Sequence, residues 1–301
     1  MFELVRLDET NAFQYDRLTY PTFRPRLRIL KHDRSLIAVG VHLHQMPVGL
    51  ALAEYLPDEG AGEILSLFVA PEYRGQGLGK ALLREMESHL RQHDCLKLHL
   101  VYTPNSTTPV LENILLQHHW NPPQPRMLIC TGTPEAIQKA AWLKLDTIAD
   151  PHYTMFPWVE LTAQERQDIL LRQAQSRWYP DILSPFKEEA ILEPLNSLGL
   201  RYRDRVVGWM ITHRITSDTI RYTSLFVKEE LQTIGRAIPL LATAIKIHVQ
   251  HRESHQAIFT VAIDNAPMVK FVQRRLAPYL VSMRQSMQSF KLMDSDATVQ
   301  Q

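Results

Sequence analysis

The apolar positions of this chain fall into two alternating rhythms. Ile64 to Val69 is a short unbroken apolar run, long enough for one buried strand. Pro71 ends it. Beyond a glycine-rich stretch, Leu78, Leu82, Met86 and Leu90 recur every fourth residue with Ala81 and Leu83 beside them, the stripe of one helix face. The same reading predicts a strand at Phe2 to Leu7 and a helical segment from Asp8. Two further strands, Ser35 to His42 and Val48 to Tyr55, are joined by a turn at His44 to Pro47. A loop at Pro57 to Gly60 precedes the apolar run. Cys95 to Val101 follows as a strand, then a helix from Thr108 carrying Val110, Leu111, Ile114 and Leu115, and Met127 to Thr131 closes the unit as its last strand. Pro109 is tolerated in the first turn of that helix, where its missing N–H has no partner anyway.

Between strand and helix lies Arg74-Gly-Gln-Gly-Leu-Gly-Lys80. The first amides of a helix have no partner within the helix, and the macrodipole puts partial positive charge there. Glycines let backbone approach a ligand closely and adopt positive φ. The combination forms an anion cradle suited to a pyrophosphate, with Arg74 and Lys80 adding full charge. Two nucleotide motifs fail on spacing. A P-loop needs Gly-Lys followed by Ser or Thr, and Ala81 stands there. A dinucleotide turn needs Gly-x-Gly-x-x-Gly, and here the glycines alternate at 75, 77 and 79.

Arg74-x-x-Gly77-x-Gly79, with its lead-in Val69-Ala-Pro-Glu-Tyr-Arg, resembles the Arg/Gln-x-x-Gly-x-Gly/Ala signature of the GNAT N-acetyltransferase superfamily, over Glu63 to Leu83. The resemblance implies an α/β fold built on a mixed sheet, and acetyl-CoA as co-substrate with no metal. It implies that Arg74, Gly75, Gln76, Gly77, Leu78, Gly79 and Lys80 hold the pyrophosphate while Leu67, Phe68 and Val69 pair with the pantetheine arm. Amides around Phe68 and Val69 then polarise the thioester carbonyl. A glutamate near the start of the same strand is the general base in several family members. Glu63 stands there, and Glu54 on the neighbouring strand is the fallback. The family's thiolate-protonating Tyr has no counterpart at Ile114-Leu115-Leu116, which leaves Tyr102 and His118 as the nearest polar candidates.

The second half repeats the first. Ser66-Leu-Phe-Val69 returns as Ser224-Leu-Phe-Val227, an offset of 224 − 66 = 158. At that offset Arg74, Gly77 and Gly79 meet Gln232, Gly235 and Ala237, and Thr108-Pro109 meets Ala266-Pro267. Val48-Gly49 meets Val207-Gly208 one residue out of step. A period this long is a domain duplication rather than a solenoid repeat. The expected organisation is an N-terminal GNAT domain at 1–132, a connection at 133–152 and a C-terminal GNAT-like domain at 153–301. In the second copy Gly75 becomes Thr233, Gln76 becomes Ile234, Arg74 becomes neutral Gln232 and Glu63 becomes Arg221. The expectation is one active domain, the first.

Composition changes little. Of 301 residues 45% are apolar and 22% charged, and the net charge is +1, which gives no pull toward nucleic acid or a membrane surface. No apolar run reaches membrane-spanning length and no leader pattern opens the chain. Cys95 and Cys130 read as buried free thiols of a reducing compartment, the cytoplasm. The 13 histidines are scattered without metal-ligand spacing. The expected activity is acetyl transfer to a primary amine of a small molecule or peptide, with a homodimer as one assembly open to the chain. The alternative is a non-catalytic acyl-CoA-binding regulator or scaffold. Arg24, Arg26 and Arg28 suit either an acidic acceptor or a solvated face.

Overall fold

The computed structural model describes residues 1–232, 235–251 and 255–293. They form two compact units. One comprises Met1–Arg126 with the described residues from Ser286 to Met293, the other Met127–Gln285.

In the first unit β1 (Phe2–Arg6), β2 (Leu36–Leu43), β3 (Met46–Leu56) and β4 (Ala61–Val69) form an antiparallel series, and β5 (Lys97–Tyr102) joins β4 in parallel. Helices α2 (Leu78–Arg91) and α3 (Thr108–Gln117) cover one face. Leu78, Leu82, Met86 and Leu90 of α2 pack there on Val39, Ala51, Ile64, Leu98 and Leu100. The four-residue apolar rhythm of α2 is what buries this face, since a helix of this length draws its stability from packing rather than propensity. A 3₁₀ turn, Ala12–Leu18, and the short α1 (Arg24–Arg28) cover the other face, where Tyr15 and Leu27 meet Ala38, Leu50 and Leu52.

In the second unit β7 (Tyr153–Pro157), β8 (Leu198–Tyr202), β9 (Arg205–Thr216) and β10 (Thr219–Val227) repeat the antiparallel series, and β11 (Gln256–Ala262) joins β10 in parallel. The helices are α4 (Pro134–Ile137), α5 (Ala163–Ser176), α6 (Glu229–Gln232), α7 (Ala237–Gln250) and α8 (Ala266–Phe271). Gly49 opposite Val69 and Gly208 opposite Val227 make the same contact in both copies. A Cβ there would lie 3.1 Å from the Phe68 carbonyl oxygen and 2.6 Å from that of Phe226.

The closing strands do not follow the order of the chain. Met127–Gly132 of β6 (Gln124–Gly132) pairs antiparallel with β11 of the second unit. The strand beside β5 in the first unit comes from the far end of the chain. Met287 to Leu292 of β12 (Leu280–Leu292) pair with Tyr102 to Lys97. The expected strand at 127–131 therefore exists but pairs with a strand of the second unit, and the compact units depart from the 1–132, 133–152 and 153–301 division. Several contacts fasten the late strand. Ser289 donates to the Asn121 carbonyl at 2.6 Å, and the Asn121 amide donates to the Phe290 carbonyl at 2.8 Å. Lys291 bonds the buried Glu87 carboxylate at 2.8 Å, and Met293 enters the core.

Helix α5 opens with a capping box. Thr162 Oγ1 accepts from the Glu165 amide at 3.2 Å, and the Glu165 carboxylate accepts from the Thr162 amide at 2.9 Å and from Arg201 Nε at 2.6 Å. The Arg201 guanidinium, followed by the Thr162 donors, holds the Glu165 carboxyl down to about 2. A depressed carboxylate stabilises the fold above its unfolded pKa, so this contribution should decline as pH falls from about 4.5 toward about 2. Glu165→Gln should cost about 1–2 kcal/mol at neutral pH, and the wild-type advantage in melting temperature should vanish in acid melts. An equal deficit at both pH values would contradict it.

Candidate functional site

The glycine loop joins β4 to α2 as expected. Gly75 and Gly77 take φ of +77° and +78°, in the left-handed region, and a Cβ at either would meet nothing within 4 Å. Backbone conformation, rather than crowding, calls for glycine at both, and the loop stands open. Gly79 differs, because its Cβ position lies 3.4 Å from Ile114, where α3 lies against the start of α2. Gly77 caps α2 with no side-chain bond to the helix amides. Arg74, Gln76 and Lys80 are exposed. Arg74 Nε donates to the Val69 carbonyl at 2.9 Å, which ties the loop to the strand end, and Lys80 Nζ lies 3.4 Å from Gln117 Oε1. The first turn of α2 holds no acidic residue. Two cations beside the positive end of a helix are unfavourable alone and favourable once an anion sits between them.

Strand β4 parts from β5 just before this loop. Their parallel pairing runs from Ala61 with Lys97 to Ile64 with Leu100 and then stops, although β4 continues to Val69 and β5 to Tyr102. A bulge at Leu65, between the Ser66 and Ile64 pairings with β3, bends β4 at that point. The Ala70 amide donates to the Val48 carbonyl at 2.9 Å. By antiparallel alternation Phe68 directs its amide to β3 as well, and Leu67 and Val69 turn theirs toward the opening. The carbonyl-polarising role expected around Phe68 and Val69 is thus open to Val69 and Leu67, while the Phe68 amide belongs to the sheet.

At the apex of the opening a polar row crosses three strands. Glu63 lies directly opposite Glu54 on β3 and beside His99 on β5. Gly62, one residue earlier, turns to Leu90 and Leu98 under α2, so Glu63, Glu54 and His99 share the opposite face, that of α1. Two carboxylates directly opposite each other repel. Arg26 of α1 offsets this by pairing with Glu54. Arg28 pairs with Asp16 at 3.0 Å, so two of the three expected surface arginines are spent on ion pairs. Burial, then the charge of Lys97, pushes the His99 imidazole below its usual range, against the pull of Glu63. Burial thus favours the neutral ring of His99 beside Glu63. His99 did not emerge from the sequence, because its position depends on register with Glu63.

The two candidates for an acid are placed apart in character. The Tyr102 hydroxyl donates to Glu112 at 2.6 Å on α3, and burial with this carboxylate raises its pKa. His118 is buried 3.6 Å from Glu87, which also accepts from Trp120 Nε1 at 2.7 Å and from Lys291. That cluster anchors α2, the end of α3 and β12, and His118 is a structural residue. Cys95 and Cys130 are buried free thiols, each pushed up to about 11 by burial. Among the described residues no three His, Cys, Asp or Glu side chains are grouped to hold a metal, and no helix is long and apolar enough to cross a membrane.

The second unit repeats the opening. Pairing of β10 with β11 ends at Tyr222 with Phe259, and a bulge falls at Thr223. Gly235 is left-handed at φ +72°, whereas Thr233 and Ile234 lie outside the described residues.

Solved structures align along both units of this chain. A tandem GNAT protein from the clavulanic acid biosynthesis pathway aligns with 98% of this chain and 100% of its own, at a TM-score of 0.65 and 15% identity. The chain is a tandem GNAT-fold protein. A GCN5-related N-acetyltransferase from Sphaerobacter thermophilus aligns over 99% of this chain and 98% of its own, at a TM-score of 0.64 and 17% identity. A fungal multidomain β-N-acetylglucosaminidase has a GCN5-related glucosamine N-acetyltransferase region; that chain aligns over 97% of this GNAT-fold chain and 38% of its own, with TM-score 0.66 and 14% identity. These identities establish fold alone. Residues 1–109 match the acetyltransferase (GNAT) family model. No curated protein matches. The matched span of this GNAT-fold chain contains the glycine loop, Glu63 and His99, and enzymes of the matched family use an acyl-CoA as co-substrate.

Proposed function

We propose that the protein is an acetyl-CoA-dependent N-acetyltransferase whose active site lies in the first unit and whose acceptor is a primary amine of a small molecule or peptide. The observation that carries this reading is the opening between β4 and β5, with the left-handed glycine loop at its mouth and the Glu63–His99 pair at its apex. The amides of Leu78, Gly79 and Lys80 would hold the pyrophosphate of CoA, with Arg74 and Lys80 as counter-charges, and Leu67 and Val69 would bond the pantetheine and polarise the carbonyl. The reaction requires a neutral amine at the thioester carbon. Glu63, with neutral His99 beside it, accepts the amine proton directly or through a water. The developing oxyanion is met by strand amides already fixed in place, which is worth more than a donor that must reorganise. The thiolate of CoA leaves, and Tyr102 is the nearest protonated hydroxyl on the strand bordering the opening.

Purified protein with acetyl-CoA and an amine panel should release free CoA. Glu63→Gln should lower kcat by about 10²–10⁴-fold with little change in the KM for acetyl-CoA, the range of a lost general base. Glu54→Gln should cost less than about tenfold, because Glu54 is already engaged by Arg26 and acts by positioning. Burial favours neutral His99, so the acid limb of kcat/KM should fall below the usual histidine range and move in His99→Asn. Tight acetyl-CoA binding without turnover across the panel would favour a non-catalytic acyl-CoA-binding protein.

A further inference from the structure

The second unit contains a cavity of about 980 Å³ at its own strand opening. Its walls include Met210, Leu225, Leu241, Ile245, Phe259 and Val261. Pockets that bury a small ligand span roughly 300–1,000 Å³ and are mostly apolar with a few placed polar groups. This one is at the upper end and predominantly aliphatic.

Its interior polar groups are largely committed to one another. The Tyr222 hydroxyl lies 3.1 Å from Asn196 Nδ2 and 3.1 Å from His248 Nδ1, and Asn196 Oδ1 accepts from Thr212 at 2.6 Å. Four charged residues line the cavity, Lys187, Glu188, Arg221 and Asp264, and of these Arg221 lies on β10 beside the bulge. Its Nε donates to Thr223 Oγ1 at 3.1 Å. Thr223 in turn sits 2.6 Å from Nδ1 of the buried His213, whose Nε2 lies 3.0 Å from the Lys187 carbonyl. That carbonyl requires the proton on Nε2, so Nδ1 accepts from the Thr223 hydroxyl and Thr223 accepts from Arg221. The guanidinium is held in place, and its counter-ion Glu188 is half exposed.

Arg221 occupies the position of Glu63 in the first unit, and Ile258 the place of His99. The same point of the fold has exchanged a carboxylate and an imidazole for a cation and an aliphatic side chain. A site meant for an amine would be spoiled by both changes. A site for an anionic head on an apolar tail needs both.

We infer that the second unit binds a fatty carboxylate, its hydrocarbon chain in the aliphatic cavity and its carboxylate at the Arg221 guanidinium, which Thr223 positions. The loop changes from Arg74 to Gln232 and from Gly75 to Thr233 remove charge and glycine from the phosphate cradle, so the free acid is preferred over its CoA thioester. This site is independent of the acetyl transfer proposed for the first unit.

The test uses the full chain and the fluorescent fatty acid cis-parinaric acid. Saturable binding of one equivalent is expected, displaced by dodecanoate and hexadecanoate and not by acetate or acetyl-CoA. Leu225→Trp and, on the half-buried wall of α8, Met268→Trp should each weaken it at least about tenfold by filling the cavity. Circular dichroism melts identify which of these variants is folded. Arg221→Gln should weaken dodecanoate about tenfold and leave dodecanol unchanged. Gly77→Asp should bind the probe as wild type does, which separates this site from the first even where acetyl transfer is never detected. Absence of saturable binding would overturn the inference. So would stronger competition by hexadecanoyl-CoA than by hexadecanoate, wild-type affinity in a folded cavity-filling variant, or an equal effect of Arg221→Gln on acid and alcohol.

Discussion

Gly77→Asp should abolish acetyl-CoA binding and leave the protein folded. Gly77 sits at φ +78° with nothing within 4 Å of its Cβ position, so a side chain has room. Asp is among the few residues that tolerate the left-handed region, at a cost of about 1–2 kcal/mol. It is also a good helix cap, and α2 has no side-chain cap of its own. The new carboxylate would bond the same amides that the diphosphate needs. It would also face the diphosphate directly, and two unit charges about 4 Å apart near a protein surface repel by about 4 kcal/mol. Repulsion therefore exceeds strain, and affinity should fall roughly 10³-fold, measured by calorimetry or by loss of acetyl-CoA protection in thermal melts. Gly77→Ala carries the strain without the charge and should lose about tenfold or less. Gly235→Asp, at the corresponding left-handed glycine of the second unit, should change acetyl-CoA binding little. Equal losses from Gly77→Asp and Gly235→Asp would mean that the second loop shares the cofactor, against a single site in the first unit.

What was legible in the chain was local. The strand, the left-handed glycines and α2 are adjacent in sequence, and each obeys a short-range rule: an apolar run, a positive φ, a four-residue period. The duplication was equally visible, because Ser66 to Val69 and the glycine motif return at an offset of 158, and the structure adds bulges at Leu65 and Thr223 with that same offset. What escaped was set by partners distant in sequence. His99 gains its place from register with Glu63, and Arg26 from reaching Glu54 across 28 positions. The closing strands escaped for a stronger reason. Met127–Thr131 has the apolar alternation of an interior strand and is one, but an alternating pattern specifies which faces are buried and not which neighbour supplies the hydrogen bonds. In the second unit, the replacement of Glu63 by Arg221 reads as loss of a base. It gains a second meaning only beside a cavity, which no linear pattern displays.

Removal of Ser286–Gln301 should disable the first unit, although every glycine of its loop and Glu63 would remain. The sheet would lose the partner of β5 from Lys97 to Tyr102, the strand that forms one wall of the opening. The core would lose Met293, and the Asn121 carbonyl its bond from Ser289. The greatest cost falls on Glu87, whose carboxylate is nearly buried and would retain Trp120 and His118 but no lysine. Removing one partner of a buried ion pair costs about 3–5 kcal/mol. Lost strand pairing and apolar burial add to that, against a total stability of about 5–15 kcal/mol for a typical domain. The truncated chain should melt in two steps, the first well below the wild-type transition and no longer raised by acetyl-CoA. For the same reason a fragment ending at 132 should not bind acetyl-CoA, even though it contains the whole sequence motif. Lys291→Met tests the ion pair alone and should destabilise the first unit with β12 still present, while Glu87→Gln with Lys291→Met should recover part of the loss. A folded fragment of residues 1–132 that bound acetyl-CoA with wild-type affinity would show that the late strand is dispensable.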